Sequence, residues 1–261
     1  MNERKDWFLP VSIGAAVLLV GGGGAALYFL RAGEPAPEAV VETPEPVADI
    51  VAPDPVSVAR PAEPPRALPL PPLDDSDIDV LGGLTELFGQ QAVMQHLVPQ
   101  RIVRNIVVTI DNVPRQQMAL NQRPIKPMQG ALVTAGAEDT LVLAPENYAR
   151  YEAFVTVARS VDAKTLVALY RGLQPLFQQA YEELGNPNAS FNDRLVEVIE
   201  HLLTTPNVPG EIRLVQPSVY YKYADERLEK LSAGQKLLIR MGPTNAAAIK
   251  AKLREIQAEL V

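Results

Sequence analysis

The strongest constraint on this chain is the run from Phe8 to Leu30, which carries no charged side chain. About 23 residues of helix cover a hydrocarbon core of roughly 30 Å, so the run is long enough to cross a bilayer. Trp7 at one end, and Tyr28 with Arg31 at the other, suit the water interface. Arg4 and Lys5 precede the run, and after Arg31 no lysine or arginine follows until Arg60. That bias predicts residues 1–7 inside the cell and the long C-terminal part outside. A cleaved signal peptide has a shorter apolar stretch and a small-x-small site. Here Phe29, Leu30 and Arg31 follow without one, so the expectation is an uncleaved single-pass anchor over residues 8–30. Gly21 to Gly24 offer a small-residue face through which two such helices could form a homodimer, although glycine is also common in membrane helices generally.

Half of the 24 prolines lie between Gly33 and Pro72, among alanine, glutamate and valine with almost no aromatic residue. Proline removes backbone donors and favours polyproline II, so residues 31–72 read as a linker that builds no core. At about 3.1 Å per residue such a tether spans on the order of 100 Å when extended, a reach that extends toward a cell-wall layer. Residues 73–261 are enough for one core that folds without a covalent staple. Cysteine is absent, which excludes disulfide scaffolds, cysteine-ligated zinc, thiol nucleophiles and a lipidated-cysteine anchor. A net charge of −7 and the lack of any basic patch argue against a nucleic-acid partner.

The exterior part reads as an α+β domain, predominantly α-helical. Ile78 to Phe88 form a short amphipathic helix after an acidic start. Ile102, Val103, Ile106, Val107, Ile110 and Val113 make a helical stripe, although the β-branched content also suits a strand. Gly130 to Thr134 and Thr140 to Leu143 predict a small hairpin. A helix starting near Pro145 should bury Tyr148, Tyr151, Val155 and Ala158. The next, Asp162 to about Leu184, places Leu166, Tyr170, Leu173, Phe177 and Tyr181 on one face, with Pro175 as a kink and Gly185 and Pro187 as its end. A third begins at Ser190 and Asp193 and runs to about Leu203. Glu211 to Gln216 and Val219 to Tyr223 read as two short strands joined at Pro217. Ser232 with Gln235 forms a capping box, Gly242-Pro243 breaks the run, and Ile249, Leu253, Ile256 and Leu260 stripe the last helix.

Several segments carry a family resemblance: IDNVPR (Ile110 to Arg115), NYARYEAFV (Asn147 to Val155), PLFQQAYEELG (Pro175 to Gly185), FNDRLVEVIEHLL (Phe191 to Leu203) and LEKLSAGQKLLIRMG (Leu228 to Gly242). In that order they resemble an uncharacterised bacterial family of single-pass membrane proteins carrying one periplasmic domain of unknown function. The resemblance covers roughly Leu70 to Leu260. It implies a bacterial inner-membrane protein with its C-terminal domain in the periplasm, and it brings no activity or catalytic residue with it. Glu200 stands where the family leads one to expect aspartate, a conservative departure.

Candidate chemistry is sparse. Asp193, Glu197 and His201 recur at i, i+4 and i+8 and share a helix face, a set that could bind a metal or act as acid and base. The outer two are about 12 Å apart along the axis, too far to ligate one ion, so no metal is expected. Capping and an ordinary polar face explain them as well. Glu182 and Glu183 near Asn192, Asp193 and Arg194 form a denser polar corner. Paired carboxylates there would suit a cell-wall hydrolase, whereas an Arg194–carboxylate pair that fixes the corner is the plainer reading. Tyr220, Tyr221 and Tyr223 lie on a predicted strand with Tyr221 and Tyr223 on one side and Tyr220 on the other, either packing or a protein contact. No cofactor motif occurs: Ser232 to Lys236 lack the spacing of a phosphate loop. These readings point to a membrane-tethered, non-catalytic interaction or scaffold module with an envelope protein partner. The alternatives are a carboxylate-based cell-wall hydrolase and a glycan- or ligand-binding domain.

Overall fold

A computed structural model describes residues 70–116, 121–127, 131–137, 140–218 and 220–261. The anchor at 8–30, the Gly21–Gly24 face and the linker through residue 69 lie outside the described residues. So do Gly130 of the predicted hairpin, its 138–139 connection and Val219. Among the described residues no helix is long and apolar enough to cross a membrane. What is described is predominantly helical with two small sheets.

The helices are α1 (Asp77–Phe88), α2 (Gln90–His96), α3 (Ile102–Asn112), α4 (Glu146–Ala149), α5 (Glu152–Ser160), α6 (Ala163–Glu183), α7 (Phe191–Leu203), α8 (Glu226–Glu229), α9 (Ala233–Arg240) and α10 (Pro243–Leu260). The stripe after Arg101 is therefore a helix: tertiary burial on nearly every side overrides the β-branched preference for strand. A long-range cap starts it. Arg101 takes a left-handed conformation at φ 52°, and the Asp77 carboxylate accepts the backbone N–H groups of Arg101 at 2.6 Å and Ile102 at 2.8 Å. An anion from α1 thus satisfies donors at the positive end of α3.

The central helix α6 packs against α3 on one side and α10 on the other, and α10 also covers α5 and α7. Asp162 caps α6 through the Thr165 N–H, and Gly185 at φ 110° follows its end. Pro175 sits inside the helix without ending it. Arg171, whose carbonyl loses its partner, and Pro175 are both on the exposed side, where water can reach the freed group. The buried face of α6 delivers Tyr170, Phe177 and Tyr181 to Phe191 at the start of α7. The Phe177 and Phe191 rings stack at 5.6 Å and 10°, and Tyr181 meets Phe191 edge-on at 5.6 Å. Gln178 closes the same corner: its carbonyl accepts the Phe191 N–H at 2.9 Å, and its amide donates to the Ala189 carbonyl at 2.9 Å.

The helix expected from Pro145 is in fact two, α4 and α5, broken at Arg150 and Tyr151. Tyr151, Val155 and Ala158 are buried, whereas Tyr148 is half-buried and Asn147 takes the interior place. The reason is polar: Asn147 exchanges hydrogen bonds with both backbone groups of Val133, at 3.0 and 2.7 Å, which turns the short α4 toward the hairpin.

The sheets are two-residue antiparallel ladders. β1 (Thr134–Ala135) pairs with β2 (Val142–Leu143), and β3 (Leu214–Val215) with β4 (Lys222–Tyr223). A bridge between Val142 and Arg213 joins them, with Leu143 donating to Ile212 at 2.9 Å and Leu214 to Leu141 at 2.7 Å. Leu143, Ile212, Leu214, Tyr223 and Ile239 form a second apolar cluster beside the main core.

The Tyr170 hydroxyl is buried in the aromatic corner with no hydrogen-bond partner among the described residues. An unsatisfied buried donor costs free energy that phenylalanine avoids. Tyr170→Phe is expected to leave stability unchanged or raise it by about 1 kcal/mol in denaturant unfolding; a loss above that size would show that the hydroxyl is bonded.

Candidate functional site

The five acid–base candidates do not converge on one centre. Glu183 is bound by Arg104, which also holds Asp74 at 2.9 Å, and by the Gln179 amide at 3.0 Å. The Arg104 bond, then the Gln179 bond, hold the Glu183 carboxyl below its usual range. Glu182 accepts instead from Gln178 at 2.9 Å, as part of the corner that orders residues 185–190. Asp193 is exposed in the first turn of α7, where its backbone N–H is capped by Ser190. Among the described residues no group of three or more acidic, histidine or cysteine side chains could hold a metal ion.

Arg194 does fix a corner, but its main partner is Asp111 rather than Glu182 or Glu183. Arg194 Nε lies 3.2 Å from one Asp111 oxygen, and its Nη2 donates to the Asp111 carbonyl at 2.9 Å. Arg115 donates to the second Asp111 oxygen at 2.6 Å, and Glu197 accepts from Arg194 Nη1 at 3.2 Å. Asp111 is only 7% exposed and sits at the C-terminal end of α3, where the helix dipole disfavours an anion. Two guanidinium groups offset that. Its partners stand 83 positions and 4 positions away in sequence, and only the nearer, at helical spacing, was within reach of pattern reading.

His201 is half-buried, not part of an open polar face. Its Nε2 lies 2.8 Å from the Ser232 hydroxyl, which also accepts the Gln235 N–H in the capping box of α9. Gln235 extends the link to the Thr204 hydroxyl at 3.2 Å. The pair therefore staples the end of α7 to the start of α9. Burial first, and the Arg194 charge second, push the His201 pKa below the ordinary 6.5.

The strand expected to carry all three tyrosines is only Lys222–Tyr223, so Tyr220 and Tyr221 precede it rather than alternate along it. Tyr223 is buried, donates from its hydroxyl to the Lys236 carbonyl at 3.1 Å and lies under the Arg240 guanidinium at 5.6 Å. Burial pushes its pKa up to about 12. Tyr221 is half-buried. Tyr220 is 37% exposed, and Val215 of the same hairpin is exposed as well.

One concavity was not legible in the sequence. It is an open cavity of about 610 Å³ between the β1–β2 hairpin, the loop 205–211 and the α9–α10 junction. Leu143, Tyr148, Val208, Ile212, Ile239 and Pro243 supply apolar wall, and among the described residues Lys250 is its one basic lining residue. None of the five acid–base candidates lines it. Gly242 makes the wall possible. It has φ 82°, and a Cβ there would lie 2.6 Å from the Tyr148 ring, so only glycine lets the ring rest on that backbone. The Gly242-Pro243 break and the proline-rich 205–211 loop were the only signals, and they marked turns without showing what the turns enclose.

The described part is thus a helical α+β domain with two minimal sheets, of which β1–β2 lines an apolar cavity. Residues 102–257, more than half of the chain, match the family described as Protein of unknown function (DUF3014), and the chain belongs to that family. No curated protein and no solved structure matches it.

Removing Arg194 leaves the buried Asp111 carboxylate with Arg115 alone. Arg194→Met is expected to cost about 2 kcal/mol of unfolding free energy, with most of the loss recovered in the double variant with Asp111→Asn. A cost within experimental error would show the network to be idle. Because folded His201 resists protonation, the unfolded chain takes up the proton first as pH falls. Stability is therefore full above the ordinary value of 6.5 and declines below it. His96 adds to the decline in the same direction, through burial and then Lys126. His201→Gln should flatten the slope of unfolding free energy between about pH 7 and 5; an unchanged slope would refute the assignment.

Proposed function

We propose that this protein is a membrane-tethered, non-catalytic interaction module of the bacterial envelope. Residues 1–7 lie inside, residues 8–30 anchor it in the inner membrane, and the proline-rich linker carries the domain into the periplasm to meet a protein partner. The observation that carries this reading is the contrast between the two candidate surfaces. Glu182, Glu183, Glu197 and His201 are each engaged in a separate structural bond, whereas Val215 and Tyr220 turn apolar and aromatic surface outward from one hairpin. Aromatic groups of this kind act as anchors at protein interfaces. Their exposure costs solubility, a cost that partner binding removes.

The test is cross-linking of the full-length chain in living cells, followed by capture through a C-terminal tag. A reproducible envelope protein is expected, with its recovery reduced roughly tenfold or more by Tyr220→Asp or Val215→Asp. Equal recovery with both variants, or capture of wall fragments alone, would overturn the reading.

A further inference from the structure

The apolar cavity plays no part in the partner contact just described. Its chemistry points elsewhere. Loop 205–211 forms one wall, with Thr205 anchored by its own hydroxyl to the Leu202 carbonyl at 2.6 Å. Pro243, Ala246, Ala247 and Lys250 on one face of α10 form the other. The Lys250 ammonium donates to the Thr205 carbonyl, a bond that uses only part of its donor capacity. One helical turn on stands Arg254, close enough that its charge, after burial, depresses the Lys250 pKa. Among the described residues neither cation is paired with a carboxylate. Glu211, the other charged residue of the lining, makes no ion pair with Lys250.

Such a site selects by exclusion. A sugar would strand its hydroxyls against Leu143, Val208 and Ile239. A neutral hydrocarbon would leave the Lys250 charge uncompensated, and a cationic amphiphile would be repelled by it. An apolar body ending in a single anion satisfies both parts of the wall, and the volume lies within the range of small-ligand pockets. We propose that the cavity binds a free long-chain carboxylate, with its alkyl chain against Leu143, Tyr148, Val208 and Ile239 and its carboxylate on Lys250, with Arg254 behind. This binding is independent of the partner contact at Tyr220.

The probe is dodecanoic acid carrying a terminal diazirine, photolysed with membranes that contain the full chain, with labelled sites mapped by peptide mass spectrometry. Dodecanol with the same diazirine serves as the neutral control. Label from the acid is expected on residues 205–212 and 238–250. Lys250→Gln should reduce it about tenfold while leaving labelling by the alcohol unchanged, since only the charged hydrogen bond is lost. Ala247→Trp, at an exposed lining position, should reduce both by filling the space. Label confined to residues 8–30 would overturn the proposal, as would acid labelling that Lys250→Gln does not change. Competition by phosphatidylglycerol vesicles but not by unlabelled dodecanoate would also overturn it, because the site would then read a phospholipid rather than a free acid.

Discussion

The buried carboxylate of Asp111 is the point on which the arrangement of the helices depends. It lies at the end of a helix buried along most of its length, in a position the helix dipole disfavours. Left alone it would be an uncompensated charge in the interior. Arg194 reaches it from α7 and Arg115 from the turn after α3, so the carboxylate is stable only when both segments are docked. The same turn receives α9: the Arg115 carbonyl accepts the Ala233 N–H at 2.7 Å and the Val113 carbonyl accepts the Gly234 N–H at 3.2 Å. Gly234 is needed for that approach, since a Cβ would lie 2.6 Å from the Val113 side chain and 2.7 Å from Leu202. Three helix ends therefore meet at one charge.

That junction also positions the cavity. With α7 and α9 joined through His201 and Ser232, the chain leaving α7 at Thr204 must turn beside the start of α10. The loop 205–211 contains prolines at 206 and 209 and a glycine at 210 with φ 79°, so it cannot continue the helix and arches over the gap instead. On the far side, Asn147 holds α4 to the hairpin, and Asn245 donates to the Tyr148 carbonyl at 3.0 Å. Among the described residues, no side chain fills the hollow between these edges. The proposed anionic amphiphile would sit in this hollow, apart from the exposed Val215 of the second hairpin.

The longer helices of the domain were legible because their apolar residues repeat at helical spacing over long stretches, whereas the short helices Gln90–His96 and Glu226–Glu229 were not. Leu166, Tyr170, Leu173, Phe177 and Tyr181, and likewise Ile249, Leu253, Ile256 and Leu260, are buried as that spacing requires. Ser232 and Gln235 make the capping box that their separation announced. Local chemistry suffices for such features, because every group involved lies within one or two turns. Tyr148 was misplaced for the complementary reason. Periodicity assigned it to the core, but Asn147, which bonds to Val133 14 positions away, rotates the short helix.

What the sequence by itself determined is the predominantly helical character of the domain, the places of its two short hairpins though not their two-residue length, the local caps at Asp162, Ser190 and Ser232, and the absence of thiol chemistry, since these follow from residue type and near-neighbour spacing. What only the tertiary structure decided is the pairing of distant groups. Asp77 caps α3 from 25 positions away, Arg194 takes Asp111 from 83, and Lys250 binds the Thr205 carbonyl from 45. A charged side chain has many partners of the opposite sign along a chain, and its identity says nothing about which will be nearest. The three-dimensional path of the backbone makes that choice, and with it the cavity, whose lining is gathered from residue 135 and the stretches 142–148, 205–212 and 238–250, which share no pattern.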